Sequence, residues 1–327
     1  MAIKPSELKD KVKGVIHLVM SPFDENGDLD EKALRTTVDQ VAKKLEGEEA
    51  VFVTTASTGE FYAMSDEECK TVIRITAEEV AGRFPVFGGT GRGGTRLTVE
   101  LSQYAQEVGA DGVMVLNPFY QPATEDGLYR HFKTLAENID IGIMIYNNPS
   151  TTKLWIPPHL MAKLSKIDNI IADKETISDA ARFYFMQRAV DPADMTIVCG
   201  VGQLVYPFFF MFNCPGFVTE FCNFAPATAV GLYKATKARD FDRVIELTNQ
   251  IAPYYEFRAR LLSKRSPVPS ILSPFLSPND LPLVQSIIKE AMTLTGLPGG
   301  TAREPIENLT AEEIEELRDV LKEIGAL

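Results

Sequence analysis

Lys174 closes a run in which a lysine is out of place. The stretch Asn-Ile-Ile-Ala-Asp-Lys-Glu-Thr (169–176) begins as a short apolar segment and ends in a cation with an acid on each side. Apolar runs of this length read as buried strands. Lys174 alternates with Ala172 and Ile170, so it is expected on their face. If that face is enclosed, desolvation disfavours the ammonium and lowers its pKa. A neutral amine can attack a carbonyl carbon and form a Schiff base. Taken alone, a strand-end lysine would run its stem along the surface and put its head in water. The inference therefore rests on companions. Tyr146 and Asn147 end one apolar run in "YNNPSTTK", and Tyr120 follows another in "NPFYQP". Ser57, Thr58 and Gly59 follow a third in "TTASTGE". A phenol both donates and accepts protons. Consecutive backbone N–H groups around Ser57–Gly59 suit a carboxylate. Each group alone has an ordinary structural use; together they describe carbonyl chemistry on an anionic substrate.

Two alternating textures would bring these residues together. Short runs rich in Val, Ile and Phe occur at 14–20, 50–55, 84–90, 112–117, 141–147, 169–173, 195–200 and 216–221. They are too short for helices and read as strands. Amphipathic stretches lie between them at 30–45, 65–81, 93–109, 124–138, 157–166, 178–190 and 204–212, with another near Ala225. Ser65 and Glu68 form a capping-box pattern, and Asp30 is an N-cap candidate. Continuous apolar strands separated by helices imply a parallel sheet covered on both faces. Eight such units predict a (β/α)8 TIM barrel, with a doubly wound open sheet as the alternative. The expected domains are a catalytic barrel over 1–240 and a C-terminal helical extension over 241–327. The proline-rich stretch 266–282 reads as a connector. In a barrel the active site lies at the C-terminal strand ends, where all the residues above fall.

The bulk properties narrow the function. The chain has 327 residues, 45% of them hydrophobic, and a formal net charge of −12. An acidic surface repels phosphate backbones, which argues against nucleic acid as a partner. The charged start "MAIKPSELKDKVKG" lacks the apolar core of a signal peptide, and no run is long enough for a membrane helix. Four cysteines without a CxxC pair suggest reduced thiols and a cytoplasmic location. Gly89–Gly94 fits G-x-G-x-x-G, but the next strand ends in Leu116-Asn117-Pro118 without the acid a dinucleotide site wants. "DENGDLDE" (24–31) lacks the closing glutamate of a calcium loop. His17, His131 and His159 have no metal-ligand spacing. Neither a metal nor a cofactor is expected.

The motifs occur in an order and spacing that resembles the dihydrodipicolinate synthase / N-acetylneuraminate lyase family of Schiff-base lyases. "ASTGE" (56–60), "NPFYQP" (117–122), "YNNP" (146–149) and "ADKE" (172–175) are similar to that family's hydroxyl–glycine turn, paired-tyrosine segment, tyrosine–asparagine motif and lysine strand. The resemblance implies that Lys174 forms the Schiff base with pyruvate or another 2-oxo acid. It implies that Tyr146 handles protons, and that Ser57 and Thr58 bind the carboxylate beside Gly59 and link Tyr146 to Tyr120. It further implies that Val218 lines the pocket, that Tyr120 reaches an adjacent subunit's site, and that the protein is a homotetramer built as a dimer of dimers. The implied reaction is reversible aldol cleavage or condensation with an aldehyde. The alternative on the same scaffold is dehydration of a 2-oxo-3-deoxy sugar acid. Dihydrodipicolinate synthesis proper is disfavoured, because Thr151 stands where the family's substrate-binding arginine is expected. Thr152 and Lys153 are the neighbouring substrate-binding candidates, and Lys153 is the replacement charge. Gln203 and Glu220 are expected to face the substrate. Asp173 is expected to point outward and find a partner in the helix layer. Glu175 is expected at the start of a loop.

Overall fold

The computed structural model describes residues 2–265 and 283–327. Its centre is a closed barrel of eight parallel strands. In chain order these are β1 (Gly14–Leu18), β2 (Ala50–Thr54), β3 (Val86–Gly89), β4 (Gly112–Leu116), β5 (Gly142–Asn147), β6 (Ile170–Glu175), β7 (Thr196–Cys199) and β8 (Gly216–Thr219). Each pairs with the next, and β8 returns to β1 through Gly14 and Gly216.

The helices begin with α1 (Pro5–Lys9), α2 (Glu31–Lys44), α3 (Asp66–Val80), α4 (Thr95–Glu107) and α5 (Glu125–Ala136). They continue with α6 (Pro149–Thr152), α7 (Pro158–Leu164), α8 (Ala180–Ala189), α9 (Tyr206–Phe210) and α10 (Pro226–Ala238). After the barrel come α11 (Phe241–Arg265), α12 (Val284–Leu294) and α13 (Ala311–Glu323). The capping box at Ser65 and Glu68 and the Asp30 cap are both formed, and they fix where α3 and α2 begin. The proline-rich stretch 266–282 lies outside the described residues.

Strand alternation divides the apolar residues into two cores. Ile16, Leu18, Val51, Val53, Met114, Met144, Val198 and Val218 fill the barrel. Val15, Phe52, Val113, Ile145 and Ile197 face the helix layer. The short α1 was not anticipated. It places Leu8 in the inner cluster and closes the N-terminal end of the barrel, where Lys9 Nζ donates to the carbonyls of Pro192 and Ala193 at 3.1 and 2.6 Å.

One strand departs from simple alternation. On β6, Ile170 pairs with Ile143, but Ala172 pairs with Met144, so Ile171 is an extra residue in the ladder. A bulge shifts the faces on either side of it. Ile171 and Ala172 therefore join the inner cluster while Ile170 joins the outer one. The expectation that Ile170 shares Lys174's face is corrected; Ala172 does. The strand also runs through Glu175, so that residue belongs to the sheet and not to a loop.

Candidate active site

Lys174 and Tyr146 are cross-strand neighbours at the C-terminal ends of β6 and β5. Both belong to the barrel interior, with exposures of 3% and 5%. Lys174 Nζ lies 3.7 Å from the centre of the Tyr146 ring. On the other side of β6, Val198 pairs with Lys174. Val218, fully buried on β8, completes the apolar wall.

Tyr146 is oriented by the turn that follows its own strand. Asn148 caps α6, its Oδ1 accepting from the backbone N–H groups of Ser150 and Thr151. Its Nδ2 donates to the Tyr146 hydroxyl at 2.9 Å and to Thr151 Oγ1 at 3.0 Å. Asn148 was missed in the sequence reading, although an Asn directly before a proline is a helix-start signal. Thr152 is buried, and its hydroxyl is engaged by the carbonyls of Asn148 and Leu154 at 2.8 and 2.9 Å. Thr151 and Lys153 are exposed. Lys153 adopts φ 60 and approaches Tyr120, its Nζ 3.5 Å from the Tyr120 carbonyl oxygen.

Tyr120 itself is 85% exposed and has φ 74. Its ring is open to solvent and does not join Tyr146 in the cleft. The turn after β2 does join Tyr146: a small cleft is lined by Thr55, Ala56, Ser57, Phe61, Gly89, Gly91, Met114, Leu116 and Tyr146. Thr55, at φ 49, donates from Oγ1 to the Gly89 carbonyl at 2.8 Å and anchors the turn. Ser57 Oγ is buried without a hydrogen-bond partner among the described residues. Thr58 is buried beside it. Gly59 is required there, since a Cβ would sit 2.7 Å from the Val19 carbonyl oxygen.

The two acids flanking Lys174 both face the helix layer. Asp173 is fully buried, and neither carboxylate oxygen has a hydrogen-bond partner among the described residues. The expected partner is therefore not found among the described residues. Burial, and then the neighbouring Glu175, push its pKa well above the carboxylate range. Glu175 is also fully buried, and burial raises its pKa to about 8. Its Oε2 accepts from Asn147 Nδ2 at 3.0 Å and Trp155 Nε1 at 3.3 Å. Asn147 in turn pins the Ile156 backbone through its N–H at 2.9 Å.

Gln203 and Glu220 are tied to α11. Glu220 pairs with buried Arg258 at 2.8 Å, and Gln203 Nε2 donates to the Tyr255 hydroxyl at 2.5 Å. The Gly89–Gly94 run packs as a structural turn. The Thr90 N–H reaches the Met114 carbonyl at 3.1 Å, and a Cβ on Gly91 would press on Leu116 N at 2.7 Å.

Comparison with known proteins places the chain in a family and a fold. The dihydrodipicolinate synthetase family matches residues 11–324. The 4-hydroxy-tetrahydrodipicolinate synthase of Acetivibrio thermocellus is 33% identical over 94% of this chain and 96% of its own. The synthase of Methanopyrus kandleri is 30% identical over 97% and 98%. Among solved structures, dihydrodipicolinate synthase from Aquifex aeolicus has a TM-score of 0.79 at 29% identity, covering 96% of this chain and 98% of that one. YagE, a prophage protein of E. coli K12 solved in complex with pyruvate, has a TM-score of 0.82 at 28% identity, covering 97% and 99%.

Proposed function

The chain belongs to the dihydrodipicolinate synthetase family of class I aldolases, and on that premise we propose that it is a lyase acting on pyruvate or a related 2-oxo acid through a Lys174 Schiff base. The observation that carries this reading is the enclosed Lys174 amine, 3.7 Å from the Tyr146 ring in the barrel interior. The amine adds to the keto carbon, and loss of water gives the iminium. The iminium accepts the electron pair released when the bond beyond the third carbon breaks, or when a proton leaves that carbon. Tyr146, with its hydroxyl held by Asn148, moves the proton at the third carbon or at the acceptor oxygen. The buried Ser57 hydroxyl, Thr58 and the amides through Gly59 receive the 2-oxo carboxylate, with Val218 against the rest of the molecule.

The second substrate is an aldehyde, met at the mouth by Thr151 and Lys153. Thr151 offers no charge where the synthases' arginine is expected, which favours an acceptor other than the lysine-pathway semialdehyde. We assign residues 1–240 to the catalytic barrel and 241–327 to its helical extension. The exposed Tyr120 favours a role in a neighbouring protomer's site, within a homotetramer. Four buried free cysteines suit a reducing, cytoplasmic setting. Among the described residues no helix is long and apolar enough to cross a membrane.

Borohydride reduction in the presence of pyruvate, followed by intact mass, tests the central step. A pyruvate adduct on Lys174, lost in Lys174→Ala, is expected. Failure to trap any 2-oxo acid overturns the reading. Product analysis then separates release of pyruvate and an aldehyde from loss of water.

A further inference from the structure

The turn after β2 is held from the far end of the chain. Glu60 follows Ser57-Thr58-Gly59 directly, in the left-handed region at φ 62, with its side chain fully buried. One carboxylate oxygen lies 2.5 Å from Lys289 Nζ of α12. The other accepts the Arg303 backbone N–H at 2.9 Å. Lys289 is 1% exposed, donates to the Thr301 carbonyl at 2.7 Å, and rests 4.3 Å from the centre of the Phe23 ring. One turn earlier on α12, Gln285 Nε2 reaches the Ser57 carbonyl at 3.5 Å. The fit leaves no slack, because a Cβ on Gly299 would collide with the Lys289 carbonyl.

A non-glycine residue at φ 62 persists only where its surroundings hold it. A buried ion pair is a weak source of net stability, but losing one member strands a charge. Such a pair suits the selection of one geometry. The turn it selects is the one whose Ser57 Oγ is buried without a partner among the described residues.

We propose that Lys289 is a positioning residue for 2-oxo acid binding: through Glu60 it fixes the Ser57–Gly59 turn in the form that receives the substrate carboxylate. This rests on that turn being the carboxylate cradle. Lys289 never touches substrate; it acts by closing the turn from behind. The groups that face its ammonium are Glu60, Arg303 and the Thr301 carbonyl, with Phe23 against it. Burial lowers the Lys289 pKa to about 8, opposed by Glu60 and assisted by Arg303. Above that pH Glu60 is left buried without its cation, and the turn should loosen.

Pyruvate titration by calorimetry, with borohydride trapping in parallel, tests this in wild type, in Lys289→Met and in Lys289→Met/Glu60→Gln. The single variant should need about tenfold more pyruvate or higher for half-saturation, a factor equivalent to roughly 1.4 kcal/mol. The Lys174 adduct should still form at saturation. The double variant has no stranded charge, so it should melt near the wild-type temperature yet keep the weakened affinity. A folded double variant with wild-type affinity overturns the proposal. Wild type gives an independent answer if the variants do not fold. Its half-saturating pyruvate should rise several-fold from about pH 7.5 to about pH 9.5, across the range in which Lys289 loses its proton. A flat or falling profile over that range overturns the proposal. A wild-type adduct with unchanged affinity in the variants sinks the Lys289 role alone. No wild-type adduct with any 2-oxo acid sinks the Schiff-base reading with it.

Discussion

Two residues near the lysine carry separable consequences. Tyr146 has its hydroxyl fixed by Asn148 and its ring against Lys174 Nζ. If it transfers protons, Tyr146→Phe should lower turnover by ~10²-fold or more while borohydride still traps pyruvate on Lys174. Turnover near wild type would remove it from the mechanism. Glu175 bears on stability instead. Its folded-state pKa of about 8 stands above the ordinary 4.5, so the folded protein keeps a proton that the unfolded chain releases. Its contribution is whole below pH 4.5 and declines as pH rises towards 8. By pH 7, about 2.5 pH units above the unfolded value, the loss is on the order of 3 kcal/mol. Glu175→Gln preserves an acceptor for Asn147 and Trp155 and does not ionise. Its melting temperature should exceed wild type at pH 8 and converge with it near pH 5. A wild-type profile unchanged by the substitution would mean that Glu175 is not neutral in the fold.

At the scale of elements, the turn after β5 joins geometry to chemistry. Asn148 caps the four-residue α6 and orients Tyr146 with the same side chain. Asn148→Ala should cost about 1 kcal/mol of stability as a lost cap. Turnover should fall further than pyruvate affinity, read as kcat against half-saturation. An equal fall in both would place Asn148 in binding. Much of the barrel was legible in the sequence, because buried parallel strands are continuous apolar runs and helices carry caps such as Ser65 and Asp30. That Lys174 and Tyr146 would meet was legible for a related reason: each ends such a run, and a barrel gathers those ends on one rim, although neither residue alone differs from an ordinary strand-end side chain. Three things were not. The β6 bulge adds Ile171 to a run of Ile-Ile-Ala in which no residue marks the extra position. Asp173 finds no hydrogen-bond partner among the described residues, and a sequence records charge only as a formal sign, without the burial that raises its pKa. Glu60 and Lys289 sit in ordinary loop and helix patterns, and only the fold brings them within 2.5 Å.

At the scale of the molecule, the outer layer is not uniformly polar. Tyr184 and Phe185 on α8, with Phe208 on α9 and the adjoining Met211, remain 39–61% exposed. Tyr184 also packs on Phe212, its ring centre 5.2 Å away, which joins the two helices into one apolar face. Clustered exposed apolar side chains of this kind suit contact with another chain. A homotetramer built as a dimer of dimers, the assembly proposed above, needs at least two kinds of contact, and this face is proposed as one. Phe208→Glu with Met211→Glu should reduce the assembly to a smaller species by sedimentation, with the fold intact by circular dichroism. An unchanged sedimentation coefficient would exclude the face. The tie between Glu60 and Lys289 has a consequence for biosynthesis. Chains fold as they leave the ribosome, beginning at the N-terminus. The β2 turn emerges early, but Lys289 emerges only after the whole barrel has been made. On the proposed role of Lys289, a nascent chain completes its sheet and displays Lys174 while the Ser57–Gly59 turn is still unset. Competence to bind substrate would then wait on the emergence of α12.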